Sequence, residues 1–502
     1  MKYRLTTLGC RVNHAEAREL ESLLADRGLE RAGPGQWAEV EVIHSCSVTN
    51  TAAAKSRHAL RRALKRQSNR AQHAQDDHLH DPMHNGLEPM VLVTGCYAAT
   101  NAEEAAGLVN GRDRVISHDT EDGLAMPERF AQRLDEWLGR HRPQVPIRRP
   151  RPASSAAGVV ALTVVPPRST ASAHVRAELK IQDGCDACCT FCIIPQIRRT
   201  LRSKTICDAV AEAGQLVELG HREIVLTGVF IGAYGHETAL RRRQARPGSE
   251  PLADLVDAVA QVPGLARLRL SSMEPGDVTE PLLDAMVANA PVVVPHLHLP
   301  LQSGSDAVLR RMNRQYRIGA YLEMIDRVNG AITNDGLGPA ITTDIICGFP
   351  GETEADFAQT LQVAQRVGYL HMHVFPFSPK RGTAAARWTD SFVDAPTTKS
   401  RVRRLIDMEN DPTDGLSIRY RRRLLGRTVR VIVEQRDRDD PNLATGRCDH
   451  YALIHVPTDR PRGSVVQVKV TEVTATRTMG VLACADVTLP VLEVHSPARE
   501  QS

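Results

Sequence analysis

Four cysteines fall between positions 185 and 192, in the run Gly184-Cys185-Asp186-Ala187-Cys188-Cys189-Thr190-Phe191-Cys192. Thiols this crowded point to a metal or cluster site rather than to disulfides. Two registers fit. Cys185, Cys189 and Cys192 form C-x3-C-x2-C, whereas Cys188 gives the C-x2-C steps of a tetrahedral zinc site. Four thiols in so short a span leave little loop to wrap around one zinc ion. Three thiolates on a cubane iron-sulfur cluster leave the fourth iron open, and a cofactor can chelate it there.

Three further cysteines share a position in the pattern. Cys10, Cys46 and Cys96 each follow a strand-like segment, at residues 3–8, 40–44 and 90–94. Helical segments are expected at 14–27 and 51–67, and a short strand at 114–116. This alternation predicts a small parallel sheet. Its strands' carboxyl ends would gather three thiols at one edge.

From residue 177 the alternation is more regular. Strands are expected at 177–181, 223–229, 267–271, 296–300, 340–346 and 370–375, with helices at 204–219, 252–262, 279–288, 305–312, 319–328 and 353–367. Six such units predict a partial (β/α)6 barrel, with the cysteine run directly after its first strand. Strand-end residues then become candidate cofactor contacts: Gly228, Ser271, Glu274, Gln302, Asp344 and Gly348. Short β segments at 428–434, 452–456, 465–473 and 479–483 predict a small terminal β-barrel. The fold class is thus α/β with an appended β-barrel. Expected domains are 1–143, 173–412 and 420–487, with a Pro- and Arg-rich linker at 144–172.

The 502 residues are too many for one core, and the +4 net charge excludes no partner class. Local basic runs say more: Arg57, Arg61, Arg62, Lys65 and Arg66, and Arg419, Arg421, Arg422, Arg423, Arg427 and Arg430. These are either solvated helix faces or phosphate contacts. His73, His78, His80 and His84 lie in a polar stretch, 68–89, expected to be a solvated insertion. The sequence holds no long apolar span, and the first residues lack a leader's apolar region, so a cytoplasmic protein is expected.

The motifs together are similar to one family. Gly184-Cys185-Asp186-x-x-Cys189-Thr190-Phe191-Cys192-Ile193-Ile194-Pro195 resembles the radical S-adenosylmethionine (SAM) signature of the methylthiotransferases. Thr7-Leu8-Gly9-Cys10-Arg11-Val12-Asn13, Ile43-His44-Ser45-Cys46-Ser47-Val48-Thr49 and Val93-Thr94-Gly95-Cys96-Tyr97 resemble that family's three N-terminal cysteine elements. Residues 298–305 and 343–353 resemble blocks of its barrel. The resemblance implies one [4Fe-4S] cluster on Cys185, Cys189 and Cys192, and a second on Cys10, Cys46 and Cys96 that takes part in sulfur delivery. It also implies SAM as radical source and methyl donor, with an electron donor and a sulfur source as partners. Cys188 stands where the family commonly has another residue. The other cysteines, Cys207, Cys347, Cys448 and Cys484, are expected to be small buried side chains.

The stretches 10–13, 226–235 and 269–275 resemble the branch that modifies threonylcarbamoyl-adenosine in transfer RNA, although Phe230 and His44 each replace an Asn. Other branches act on isopentenyl-adenosine or on a ribosomal-protein aspartate. The terminal β segment resembles the TRAM domain, which implies an anticodon stem-loop as partner. Its clearest aromatic is Tyr451, and its arginines are expected to meet phosphates.

Overall fold

The computed structural model describes residues 1–76, 89–118, 124–141, 160–162, 165, 174–241 and 250–483. The N-terminal unit runs β1 (Lys2–Thr7), α1 (Arg11–Asp26), β2 (Glu30–Arg31), β3 (Val40–Ser45), α2 (Asn50–Asp76), β4 (Met90–Gly95), α3 (Cys96–Thr100), α4 (Ala102–Val109), β5 (Val115–Ile116) and α5 (Met126–His141). Its strands form a parallel sheet in the order β2-β1-β3-β4-β5. β3 and β4 are buried along their whole length, as a parallel sheet covered by helices on both faces requires. Helix α2 is longer than expected. Residues 68–76, assigned to a solvated insertion, continue it, because no Gly or Pro occurs before Pro82. The remainder of that insertion, 77–88, lies outside the described residues.

The central unit follows with β6 (Val160–Ala161), β7 (Arg176–Asp183), α6 (Ile194–Ile197), β8 (Arg202–Ser203), α7 (Ile206–Glu218), β9 (Glu223–Gly228), α8 (Pro251–Ala260), β10 (Arg267–Leu270), α9 (Glu280–Ala288), β11 (His296–His298), α10 (Asp306–Arg311), α11 (Ile318–Ile332), β12 (Ala340–Cys347), α12 (Glu354–Val367), β13 (His371–Pro376) and α13 (Ala395–Asn410). β6 lies within the expected linker and pairs with β8. Most of that linker is outside the described residues. Parallel pairing joins β7, β9 and β10 on one side and β11, β12 and β13 on the other. Bridges Leu268–Val293 and Ser272–His298 connect the two. Six parallel strands thus form an arc, as expected for a partial (β/α)6 barrel.

Strand alternation divides that arc into two faces. Leu179, Ile181, Ile224, Leu226, Leu268, Leu270 and Leu297 join the apolar core under the helices. Their neighbours Lys180, Gln182, Glu223, Arg267, Arg269, His296 and His298 face the opposite way, into a polar lumen. Among the described residues β7 and β13 do not pair, and α1 packs against β7 and β9. Its Glu16 and Arg18 meet the lumen-side Lys180 and Glu178.

The last unit comprises α14 (Leu416–Arg422), β14 (Thr428–Ile432), β15 (Gln435–Arg436), β16 (Leu443–Arg447), β17 (Leu453–Pro457), β18 (Val465–Val473) and β19 (Thr478–Leu482). The six strands form one curled sheet, and a Val431–Cys448 bridge draws its ends together over an apolar core. Residues 484–487 of the expected third domain, with Cys484, lie outside the described residues. No helix among the described residues is long and apolar enough to cross a membrane.

Candidate functional site

Cys10, Cys46 and Cys96 sit at the carboxyl ends of β1, β3 and β4. Cys10 caps α1 and is exposed, whereas Cys46 and Cys96 are buried. Gly95 makes the approach of Cys96 to Cys46 feasible. It has φ +90°, and a Cβ there would lie 2.3 Å from the Ser45 carbonyl oxygen. Asn13 ties the remaining loop by donating to the carbonyls of Leu8 (2.8 Å) and Ser45 (3.0 Å). Burial pushes the Cys96 thiol up to about 12, and the nearby Cys10 and Cys46 sulfurs push the same way. Lys380 reaches in from beyond β13, donates to Ser47 Oγ at 2.5 Å, and brings positive charge to Cys46 and Cys96.

The second group lies in the loop after β7. Burial raises the thiols of Cys185, Cys189 and Cys192, that of Cys192 to about 12, and each of these is raised further by at least one other cysteine of the loop. Cys188 differs from the other three in exposure. It is exposed at φ +51°, and its Sγ donates to the Asp186 carbonyl. Gln182 organises the loop, donating through Nε2 to the Asp183 and Gly184 carbonyls and accepting from the Phe230 N–H.

Cys46 and Cys96 of the first group and all three cysteines of the second meet one chemical test for an iron-sulfur cluster. Buried thiols with raised pKa values stay protonated unless a cationic centre holds them as thiolates. Either trio, with one sulfur from each loop position, could hold three irons of a cubane. A cofactor at the barrel mouth also has groups to meet. Ser271 Oγ and Glu274 Oε2 are buried without a hydrogen-bond partner among the described residues. Arg314 links Glu274 to the thiols, lying 2.8 Å from its Oε1 and donating to Cys189 Sγ at 3.4 Å.

The other candidates vary. At Gly228 a Cβ would crowd Gln182 at 2.9–3.0 Å, so its small size serves the cysteine loop's support. Gln302, at φ +59°, exchanges backbone hydrogen bonds with Asp344 and Ile346, and the Asp344 carboxylate lies 3.3 Å from His298 Nε2 in the lumen. Gly348 is not part of this group. Its N–H donates to Glu352, and a Cβ would strike Thr398 on α13 at 2.2 Å.

Several residues escaped sequence reasoning. Arg314, Gln182, Lys380 and Arg198 carry no spacing signal, since partners from distant segments define them. Two expectations need correction. Cys207 is exposed on α7 rather than buried, because it falls on that helix's outer face. Tyr451 is no free stacking platform. Its ring stacks on His296 at 4.1 Å and lies under Arg447 at 4.3 Å, while its hydroxyl accepts from Arg11. The arginine run is also partly committed: Arg421 donates to carbonyls at 474, 475 and 477, and Arg430 pairs with Asp449.

Family models match in three successive blocks: "Uncharacterized protein family UPF0004" over residues 2–117, "Radical SAM superfamily" over 179–364 and "TRAM domain" over 422–481. The chain is 32% identical over 470 residues to threonylcarbamoyladenosine tRNA methylthiotransferase MtaB of Bacillus subtilis (strain 168), covering 92% of each chain. It belongs to the radical SAM methylthiotransferase family. A family relative named tRNA-2-methylthio-N(6)-dimethylallyladenosine synthase, from Parafrankia sp., is 34% identical over 93% of this chain and 87% of its own. Among solved structures, the radical SAM methyltransferase TsrM of Kitasatospora setae shares the fold, with TM-score 0.51 at 11% identity over 77% of this chain and 73% of that one. Family membership carries SAM and a [4Fe-4S] cluster as cofactors.

Proposed function

We propose that this protein is a tRNA methylthiotransferase that replaces the C2 hydrogen of N6-threonylcarbamoyladenosine, beside the anticodon, with a methylthio group. The observation that carries this reading is two groups of three cysteines, one in the loop after β7 and the other at the carboxyl ends of β1, β3 and β4, with all but the exposed Cys10 wholly or partly buried. In this reading Cys185, Cys189 and Cys192 hold the SAM-binding cluster, and Cys10, Cys46 and Cys96 hold a second [4Fe-4S] cluster. When bound, the first supplies the electron that cleaves the SAM sulfonium, and the second serves sulfur delivery.

The chain's own groups do the positioning. The unpaired oxygens of Ser271 and Glu274 would accept hydrogen bonds from the cofactor's hydroxyls, with Arg314 holding the other Glu274 oxygen at 2.8 Å. Gln302 and Asp344 line the way to the lumen, where an unstacked base can be read on its edges. Gly228 and Gly348 shape the surrounding loops. Residues 1–143, 173–412 and 420–487 serve as cluster, radical and RNA domains. Exposed Arg61, Arg62 and Lys65 on α2 and Arg419, Arg422 and Arg423 near α14 offer phosphate contacts.

The threonylcarbamoyl target is supported by the stretches 10–13, 226–235 and 269–275 and by the MtaB relatives. Relatives named for dimethylallyladenosine match at similar identity. Mass spectrometry of tRNA nucleosides from a deletion strain decides between them. Loss of the methylthio-threonylcarbamoyl nucleoside is expected. Loss of the methylthio-isopentenyl nucleoside instead would overturn the target, and unchanged nucleosides would overturn tRNA as substrate.

A further inference from the structure

The two thiol groups meet across a buried ionic network. Glu16, on the second turn of the helix that Cys10 caps, is fully buried. It lies 3.1 Å from His44, two residues before Cys46, and 3.0 Å from Lys180. Arg198 grips it with two nitrogens, at 2.7 and 2.9 Å, and reaches Asp183 at 2.7 Å with the first of these. Asp183 precedes Cys185 by two residues, and the Arg198 carbonyl accepts the Cys185 N–H at 3.1 Å. Next to it, Ile197 packs with Ile193 against Cys96.

Arg198 is therefore tied by its backbone to one thiol group, by its guanidinium to the helix carrying the other, and is only 2% exposed. Its charge acts on the Cys96 sulfur. Glu16, His118 and Asp183 could suggest a separate cation site, with ligand atoms within 4.8 Å of one another. Lys180 and Arg198 already occupy those carboxylates, so two fixed cations stand where an ion would go.

We propose that Arg198 is a positioning residue that locks the two thiol groups in register and places a permanent positive charge between them. This rests on the two-cluster reading. Cubane clusters with three thiolates are anionic, and their reduction adds negative charge. A cation enclosed in a low-dielectric junction favours the reduced form, so it raises the reduction potential. A planar, always-charged guanidinium suits the task, because it spans two carboxylates and cannot lose its proton in burial.

The test uses full-length protein reconstituted anaerobically, with the midpoint potential of the Cys10/Cys46/Cys96 cluster read by electron paramagnetic resonance in a background where Cys185, Cys189 and Cys192 are alanine. Arg198→Met is expected to shift that potential to more negative values, and Glu16→Gln, which removes a facing anion, to more positive ones. Arg198→Lys keeps the charge and should restore most of the Arg198→Met shift. No shift in any variant, or shifts of one sign in Arg198→Met and Glu16→Gln, would overturn the proposal. If Arg198→Met does not fold, the signs for Arg198→Lys and Glu16→Gln still decide: a Glu16→Gln potential unchanged or more negative than the parent's overturns it. Iron content separates the two readings. If replacing Cys10, Cys46 and Cys96 by alanine leaves the iron of the otherwise native chain undiminished, the two-cluster reading fails, whatever Arg198 does.

Discussion

At the amino-terminal end of the barrel strands, Glu223 accepts from Arg176, Arg267 (2.9 Å) and Arg269 (3.0 Å), and Arg267 continues to Asp449 of the terminal β unit at 2.7 Å. At the carboxyl-terminal end, Ser271 Oγ and Glu274 Oε2 are buried with no hydrogen-bond partner among the described residues, near thiols whose pKa burial raises. Both ends are polar and enclosed. One is fastened to the terminal β unit by the protein's own charges; at the other, Ser271 Oγ and Glu274 Oε2 have no hydrogen-bond partner among the described residues. A buried charge with its partners in place serves the fold, whereas a buried polar atom without one, at the strand ends where cofactors bind, is a candidate contact.

Substitutions at the two ends should therefore fail differently. Replacing Cys185 by alanine is expected to abolish SAM cleavage, followed as deoxyadenosine release, while melting and tRNA binding stay near the parent's. Persistent cleavage would remove Cys185 from the ligand set. At the other end, Glu223→Gln leaves two buried arginines and the half-buried Arg176 short of a counter-charge and should cost about 3–5 kcal/mol in denaturant unfolding. An unfolding curve within error of the parent's would dissolve the contrast drawn here.

A pH experiment sharpens it. Burial, with help from Glu274 and against Arg241, raises the Asp277 carboxyl to about 6. Its folded pKa lies above its unfolded one, so the protonated form stabilises the fold at low pH, and that stability is lost as pH rises from about 4 to 6. Asp277→Asn should remove this dependence, worth on the order of 2–3 kcal/mol, and the parent-minus-variant stability should fall across that window. A flat difference contradicts the burial argument. The smallest effect is expected at Ser271→Ala. Loss of one hydrogen bond to the cofactor costs about 1 kcal/mol, a roughly fivefold weaker SAM affinity by titration, with no loss of stability because the hydroxyl has no partner in the fold. A destabilised variant with unchanged affinity would move Ser271 to the structural side.

The cysteine run and the six βα units were legible in the sequence, because local spacing and apolar periodicity follow from short-range geometry. The strand-end positions of Cys10, Cys46 and Cys96 were legible for the same reason, since a parallel sheet gathers those ends wherever the chain returns to it. Tertiary structure decided the partners. Arg198 and Arg314 look like ordinary surface arginines in a basic protein, and Tyr451 like a spare aromatic, until folding brings Glu16, Cys189 and His296 to them from far along the chain. Periodicity reports which face of an element is apolar. It carries no information about which charges are desolvated together, because that depends on how separate elements pack, and only the packed molecule sets those distances.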